Sequence, residues 1–205
     1  MEVRKNGESV MKYLHLGWED IQKLCESVAR KIAQAGYRPD IIIAISRGGF
    51  PPGRVLCDLL GISRLASLQI EYYKGPEETG DRPVIVIPLN INVKGARVLI
   101  VDDVADTGHS LQEAKKNVLE RRPSQLKVAT LHYKPGSVFK PDFYAEVTRA
   151  WIVYPWEVME TIKKKASDLR NEGKNARKVE EELLRLGFSK GKVKEALGRS
   201  CRSPS

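Results

Sequence analysis

Apolar side chains recur at Ile21, Leu24, Val28 and Ile32, three or four positions apart, and Gly36 follows as a stop. That spacing predicts a helix over 18–35 with one buried face. The unbroken run Ile41-Ile42-Ile43-Ala44-Ile45 predicts a strand buried on both faces, as in a parallel sheet. The glycine turn Ser46-Arg47-Gly48-Gly49 then leads into a short helix over 52–60, closed by Gly61. Strands are predicted over 65–73 and 84–89, joined by a polar, flexible stretch at 74–83. Val98-Leu99-Ile100-Val101 is a further buried strand, followed by a helix over 110–121 and a strand over 126–133. A short strand at 151–153 and a helix from about Trp156 complete the pattern. Strands alternating with helices predict an α/β domain: a mostly parallel sheet flanked by helices.

The texture changes after residue 162. Residues 163–178 are highly charged, and 179–197 predict two short helices around Leu186-Gly187-Phe188-Ser189. The expected organisation is a domain over 1–162 with a basic helical extension over 163–205. Charge follows that division. The chain of 205 residues carries +9, but 163–205 holds 13 Lys/Arg against 6 Asp/Glu, leaving only +2 for 1–162. The core therefore needs no polyanion to explain its charge, and nucleic acid could engage only the tail. Cys25, Cys57 and Cys201 are odd in number and lack metal-ligand spacing, so neither a disulfide framework nor a zinc site is indicated. No apolar run approaches the roughly 18–20 residues of a membrane span. The first 20 residues are too polar for a signal peptide, so the expected location is cytoplasmic.

The segment richest in chemistry is Val98-Leu99-Ile100-Val101-Asp102-Asp103-Val104-Ala105-Asp106-Thr107-Gly108-His109-Ser110. A core strand delivers two adjacent carboxylates at its carboxyl end, the edge where open α/β sheets bind ligands. The turn from Asp106 to Ser110 offers backbone N–H groups, hydroxyls and a helix N-terminus to an anion. Carboxylates for vicinal hydroxyls beside an anion nest suit a sugar phosphate. The rivals fit less well. G-x-x-x-x-G-K-[ST] is absent, Gly48-Gly49-Phe50-Pro51-Pro52-Gly53 is not a dinucleotide fingerprint, and a receiver domain would need an Asp ending a later strand. Two solvated Asp residues are the ordinary reading of Asp-Asp alone; the complete string is far more specific.

That string resembles the 5-phosphoribosyl-1-diphosphate (PRPP) motif of type I phosphoribosyltransferases. Ile43-Ala44-Ile45-Ser46-Arg47-Gly48-Gly49 resembles the same family's pyrophosphate loop. Lys134-Pro135 and Trp151-Ile152-Val153-Tyr154-Pro155-Trp156-Glu157 resemble the base-binding end of its xanthine–guanine and hypoxanthine members. The likeness runs from about residue 37 to 159 with the motifs in order. It implies the type I phosphoribosyltransferase fold, followed here by the short helical extension.

It also implies roles. Ser46, Arg47, Gly48 and Gly49 would hold pyrophosphate. Asp102, Asp103, Asp106, Thr107, Gly108, His109 and Ser110 would hold the ribose and 5-phosphate, with Asp103 the contact for Mg2+. Asp106 would be the general base, and Lys134, Trp151 and Ile152 would bind the purine. The implied reaction is Mg2+-dependent phosphoribosyl transfer from PRPP to hypoxanthine, guanine or xanthine in purine salvage, by a homo-oligomer. The alternative is a PRPP-sensing regulator that binds nucleic acid through its tail. A cis peptide is expected at Arg47–Gly48 and a closing loop over 74–83. The chain departs from the family in having Glu71-Tyr72-Tyr73 where bacterial relatives carry Ser-Ser-Tyr, and His109 in place of a common Gly.

Overall fold

A computed structural model describes residues 12–73 and 82–198. The chain divides into two compact units, one of Glu19–Arg149 and one combining Met1–Trp18 with Ala150–Ser205. The expected boundary at 162/163 falls inside a helix, Val158–Asn171, that belongs wholly to the second unit.

The larger unit is a six-stranded sheet. Chain order is β2 (Ile41–Ser46), β3 (Leu65–Tyr73), β4 (Arg82–Ile87), β5 (Arg97–Ala105), β6 (Gln125–Tyr133) and β7 (Phe143–Val147); β1 (Tyr13–His15) lies in the other unit. Spatial order is β4-β3-β2-β5-β6-β7, parallel throughout except for the antiparallel β3–β4 pair. The α/β expectation holds, with one added strand and one shifted boundary. β7 goes unpredicted because its edge position leaves Glu146 and Val147 exposed and blurs the alternation. β4 begins at Arg82, so that the expected flexible stretch of 74–83 ends in a strand; residues 74–81 lie outside the described residues.

Period-two alternation in β2 sorts the helices to opposite faces. Ile41, Ile43 and Ile45 join Leu68, Val98, Ile100 and Val128 in a core shared with Leu111, Ala114 and Val118 of α3 (His109–Glu120). Ile42 and Ala44 face α2 (Phe50–Leu60), where Gly53 lies close enough that a Cβ would touch both. Pro51 and Pro52 sit in the first turn of α2, where no helical N–H is needed, and Gly61 closes the helix at φ +66°. α1 (Trp18–Gln34) buries the predicted stripe Ile21, Leu24, Val28 and Ile32.

The second unit pairs β1 in parallel with β8 (Trp151–Val153). Val153 shares a core with α4 (Val158–Asn171), α5 (Ala176–Arg185) and α6 (Lys190–Ala196), through Ile162, Leu169, Val179, Leu183, Phe188 and Val193. Asn175 and Ser189 cap α5 and α6 by accepting from the Lys178 and Lys192 amides. The expected extension thus shares one core with Val153 of β8.

His132 is completely buried in β6. Burial, helped by the nearby Lys134 charge, lowers its pKa from 6.5 to about 4. The unfolded chain therefore takes up this proton at higher pH than the folded one. The contribution to stability is complete above pH 6.5 and is lost as pH falls toward 4. Denaturant unfolding should show a fall on the order of 2–3 kcal/mol across that window, absent from His132→Gln. An unchanged pH dependence in the variant would refute the assignment.

Candidate phosphoribosyl-transfer site

β5 is longer than its apolar run suggests. Asp102 and Asp103 do not leave the sheet, because β6 continues the ladder through Asp102–Thr130, Val104–His132 and Ala105–Tyr133. On the other side the β2 ladder stops at Ala44–Val101. The two carboxylates therefore fall where β5 has lost one neighbour and kept the other. Into that gap comes the loop Ser46–Gly49. A Cβ on Gly48 would overlap the Asp103 carboxylate, and one on Gly49 would overlap the Val101 and Ile45 carbonyls. At Gly49 the obstacle is backbone and glycine is required, whereas at Gly48 a side chain would have to displace the Asp103 carboxylate.

The Ser46 hydroxyl donates to the Leu68 carbonyl at 3.2 Å and ties the loop to β3, while Arg47 is exposed. The cis peptide is Ser46–Arg47, one bond earlier than expected. Between the carboxylates, the Asp103 amide donates to Asp102 Oδ1 at 3.0 Å. Burial, and then the neighbouring Asp103 charge, raise the Asp102 pKa well above the ordinary carboxylate value. Two carboxylates in mutual repulsion fit a divalent cation. Among the described residues no cluster of three or more His, Cys, Asp or Glu could hold a metal ion. Asp102 and Asp103 supply the one or two carboxylates that a Mg2+ site completed by substrate phosphates and water would need.

After β5 the chain turns sharply. Gly108 stands at φ +88° ahead of α3, and a Cβ there would also overlap Ser137 Oγ and crowd the Phe139 backbone. The loop 134–139 lies along this turn: the Lys134 amide donates to the Ala105 carbonyl at 3.0 Å and the Val138 amide to the Thr107 carbonyl at 2.9 Å. That packing brings Lys134 Nζ to 2.9 Å from Asp106 Oδ2. Lys134 is mostly covered, at 18% side-chain exposure, whereas Asp106 is open, at 54%. Thr107 and His109 are exposed and Ser110 half-buried at the head of α3. The first amides of α3 have no intrahelical acceptor, and the Gly108 cap supplies none from a side chain.

The fold thus brings Gly48 to Asp103 and Lys134 to Asp106. Trp151 and Ile152 belong to the other unit, where β8 pairs them with Tyr13 and Leu14. Ile152 is buried, and Trp151 has Lys164 Nζ over its ring at 5.7 Å. One participant escapes the sequence reading. Tyr72 Oη lies 3.3 Å from Thr107 Oγ1 and accepts from Ser110 Oγ at 3.2 Å. The available signal is alternation, since Ala66, Leu68 and Ile70 all pack on the α3 face and Tyr72 is next in that series.

The chain matches the phosphoribosyl transferase domain family over residues 17–161. It is 30% identical to the xanthine-guanine phosphoribosyltransferase of Idiomarina loihiensis, over 70% of this chain and 86% of that one. Its fold is similar to that of a purine phosphoribosyltransferase from Pyrococcus horikoshii (TM-score 0.65, 36% identity, 71% of this chain and 94% of that one). It is also similar to a Neisseria gonorrhoeae protein with bound ppGpp (TM-score 0.66, 28% identity, 73% of this chain and 92% of that one). Most of the chain is thus shared with this family in sequence as well as in fold, and the protein belongs to it as a phosphoribosyltransferase.

Proposed function

We propose that this phosphoribosyltransferase moves the 5-phosphoribosyl group of PRPP to a 6-oxopurine, releasing pyrophosphate, as a Mg2+-dependent, cytoplasmic, homo-oligomeric enzyme of purine salvage. The Asp106–Lys134 pair carries the reading. A 6-oxopurine in its N7–H form offers an acceptor at O6 beside a donor at N7, the complement of an ammonium next to a carboxylate. The 6-amino group of adenine would set donor against donor at Lys134. Names of relatives agree, since the similar proteins act on xanthine and guanine or on purines by their names.

The chemistry follows from the loops. The C1–O bond of PRPP breaks and its electron pair leaves with pyrophosphate. N9 of the purine forms the new bond to C1, and Asp106 takes the N7 proton. Arg47 and the Gly48 and Gly49 amides would meet the departing diphosphate, with Ser46 holding the loop to β3. Asp102 and Asp103 would accept from the ribose hydroxyls, and Asp103 would also hold Mg2+. When bound, that ion neutralises charge on the leaving diphosphate. Thr107, Gly108, His109 and Ser110 would cradle the 5-phosphate at the α3 N-terminus.

Pyrophosphate release, measured with PRPP, Mg2+ and single bases, should occur with hypoxanthine, guanine or xanthine and not with adenine or uracil. Release with adenine alone, or with no base, would defeat the proposal. Asp106→Ala should lower kcat about 10²–10⁴-fold with PRPP affinity little changed. Equal loss of both would remove Asp106 from the proton transfer. Gly48→Ala, whose methyl must displace the Asp103 carboxylate, should weaken Mg2+–pyrophosphate binding by at least about ten-fold. Unaltered affinity would mean that the close approach does not shape the site.

A further inference from the structure

Tyr72 has no part in the scheme above, yet its hydroxyl lies against two of the hydroxyls assigned to the 5-phosphate. We propose that Tyr72 occupies the phosphate seat of the unliganded protein as an internal stand-in, its oxygen placed where a phosphate oxygen would be and displaced when the phosphoribosyl group binds. This rests on the reading of Asp106–Ser110 as the 5-phosphate turn.

The hydrogen-bond roles favour a stand-in over a fixed ligand. Ser110 Oγ donates to Tyr72 Oη, so the tyrosine oxygen accepts as a phosphate oxygen would. At 3.2 and 3.3 Å both contacts exceed the roughly 2.7–2.8 Å usual for O–H···O bonds, so they are weak ones. The side chain is 46% exposed, and little burial opposes its departure. A phosphate dianion replaces these neutral contacts with charge-assisted bonds from the same hydroxyls, which are about twice as strong. It also meets the uncapped amides of α3 and the positive end of that helix, which a neutral phenol engages poorly.

The consequence is specificity. A group that brings no dianion to the turn cannot evict the tyrosine efficiently, so the stand-in raises the discrimination between a phosphorylated and an unphosphorylated ribose. It does so at some loss of affinity for both.

Calorimetric titration of the full chain with ribose 5-phosphate, and with PRPP plus Mg2+, tests this on the wild type, Tyr72→Phe and Tyr72→Ala. Both ligands should bind about two- to ten-fold tighter to Tyr72→Phe, which loses the hydroxyl's contacts, and at least as tightly to Tyr72→Ala. Inorganic pyrophosphate with Mg2+, which addresses the other loop, should bind all three proteins alike. Weaker ribose 5-phosphate binding to Tyr72→Phe would make the tyrosine a ligand and overturn the inference, as would equal binding. Should Tyr72→Ala melt early, the Phe variant alone decides. If none of the three binds ribose 5-phosphate or PRPP, the phosphate turn itself has been misread. Binding by all three with the affinities in the wrong order would refute only the role of Tyr72.

Discussion

β2 and β5 lie side by side, and the chain leaves them in opposite directions. From β2 it passes to β3 through α2; from β5 it passes to β6 through α3, on the other face of the sheet. The two departing segments part over the carboxyl ends of the strands and open a crevice, the switch point where open α/β sheets bind ligands. Everything assigned to pyrophosphate ends or follows β2, and the ribose and 5-phosphate residues end or follow β5. The contact that fixes their separation is the fit of Gly48 against Asp103 and of Gly49 against the Val101 carbonyl. A side chain at Gly49 would force the loop away from β5, and one at Gly48 would displace the Asp103 carboxylate.

Charge is arranged around that crevice in a graded way. Burial, and then the neighbouring Asp103 charge, raise the cost of ionising Asp102. One turn further on, Lys134 balances Asp106 at the open edge and, from the same position, helps keep His132 neutral beneath it. A protonated His132 would set a second cation against Lys134. A neutral one leaves the lysine charge directed at Asp106 and at whatever enters beside it.

The sequence is legible where a local rule and the tertiary structure agree. Ile41–Ile45 reads as a doubly buried strand because it lies at the sheet centre, with helices on both faces. The Asp106–Ser110 turn is legible because Gly108 meets two demands at once, positive φ and close packing by Ser137 and Phe139. Where neighbours decide, the pattern falls short. β5 extends past its apolar residues only because β6 does, a matter of pairing that no single strand records. β1 is three residues long, and β7 is an edge strand exposed at Glu146 and Val147, so neither has a period to detect. Tyr72 is invisible for a similar reason. Its alternation with Leu68 and Ile70 assigns a face, but its meeting with Thr107 and Ser110 needs β2 between β3 and β5.

The basic extension shows the converse. Its composition suggests a polyanion-binding tail, yet its apolar positions Ile162, Ala166, Leu169, Val179, Leu183, Phe188 and Val193 all enter one core with Val153. A helix that buries a stripe of this kind must turn its remaining positions to solvent, and lysine and arginine with long stems suit that exposed face. Several are engaged locally: Arg177 with Glu181, Arg185 with Glu182, Lys192 with Glu195. Exposed pairs of this kind contribute little to stability, roughly 0–1 kcal/mol each. The charge count thus follows from how three short helices are covered, and the burial pattern, not the net charge, is what the extension's sequence encodes most strongly.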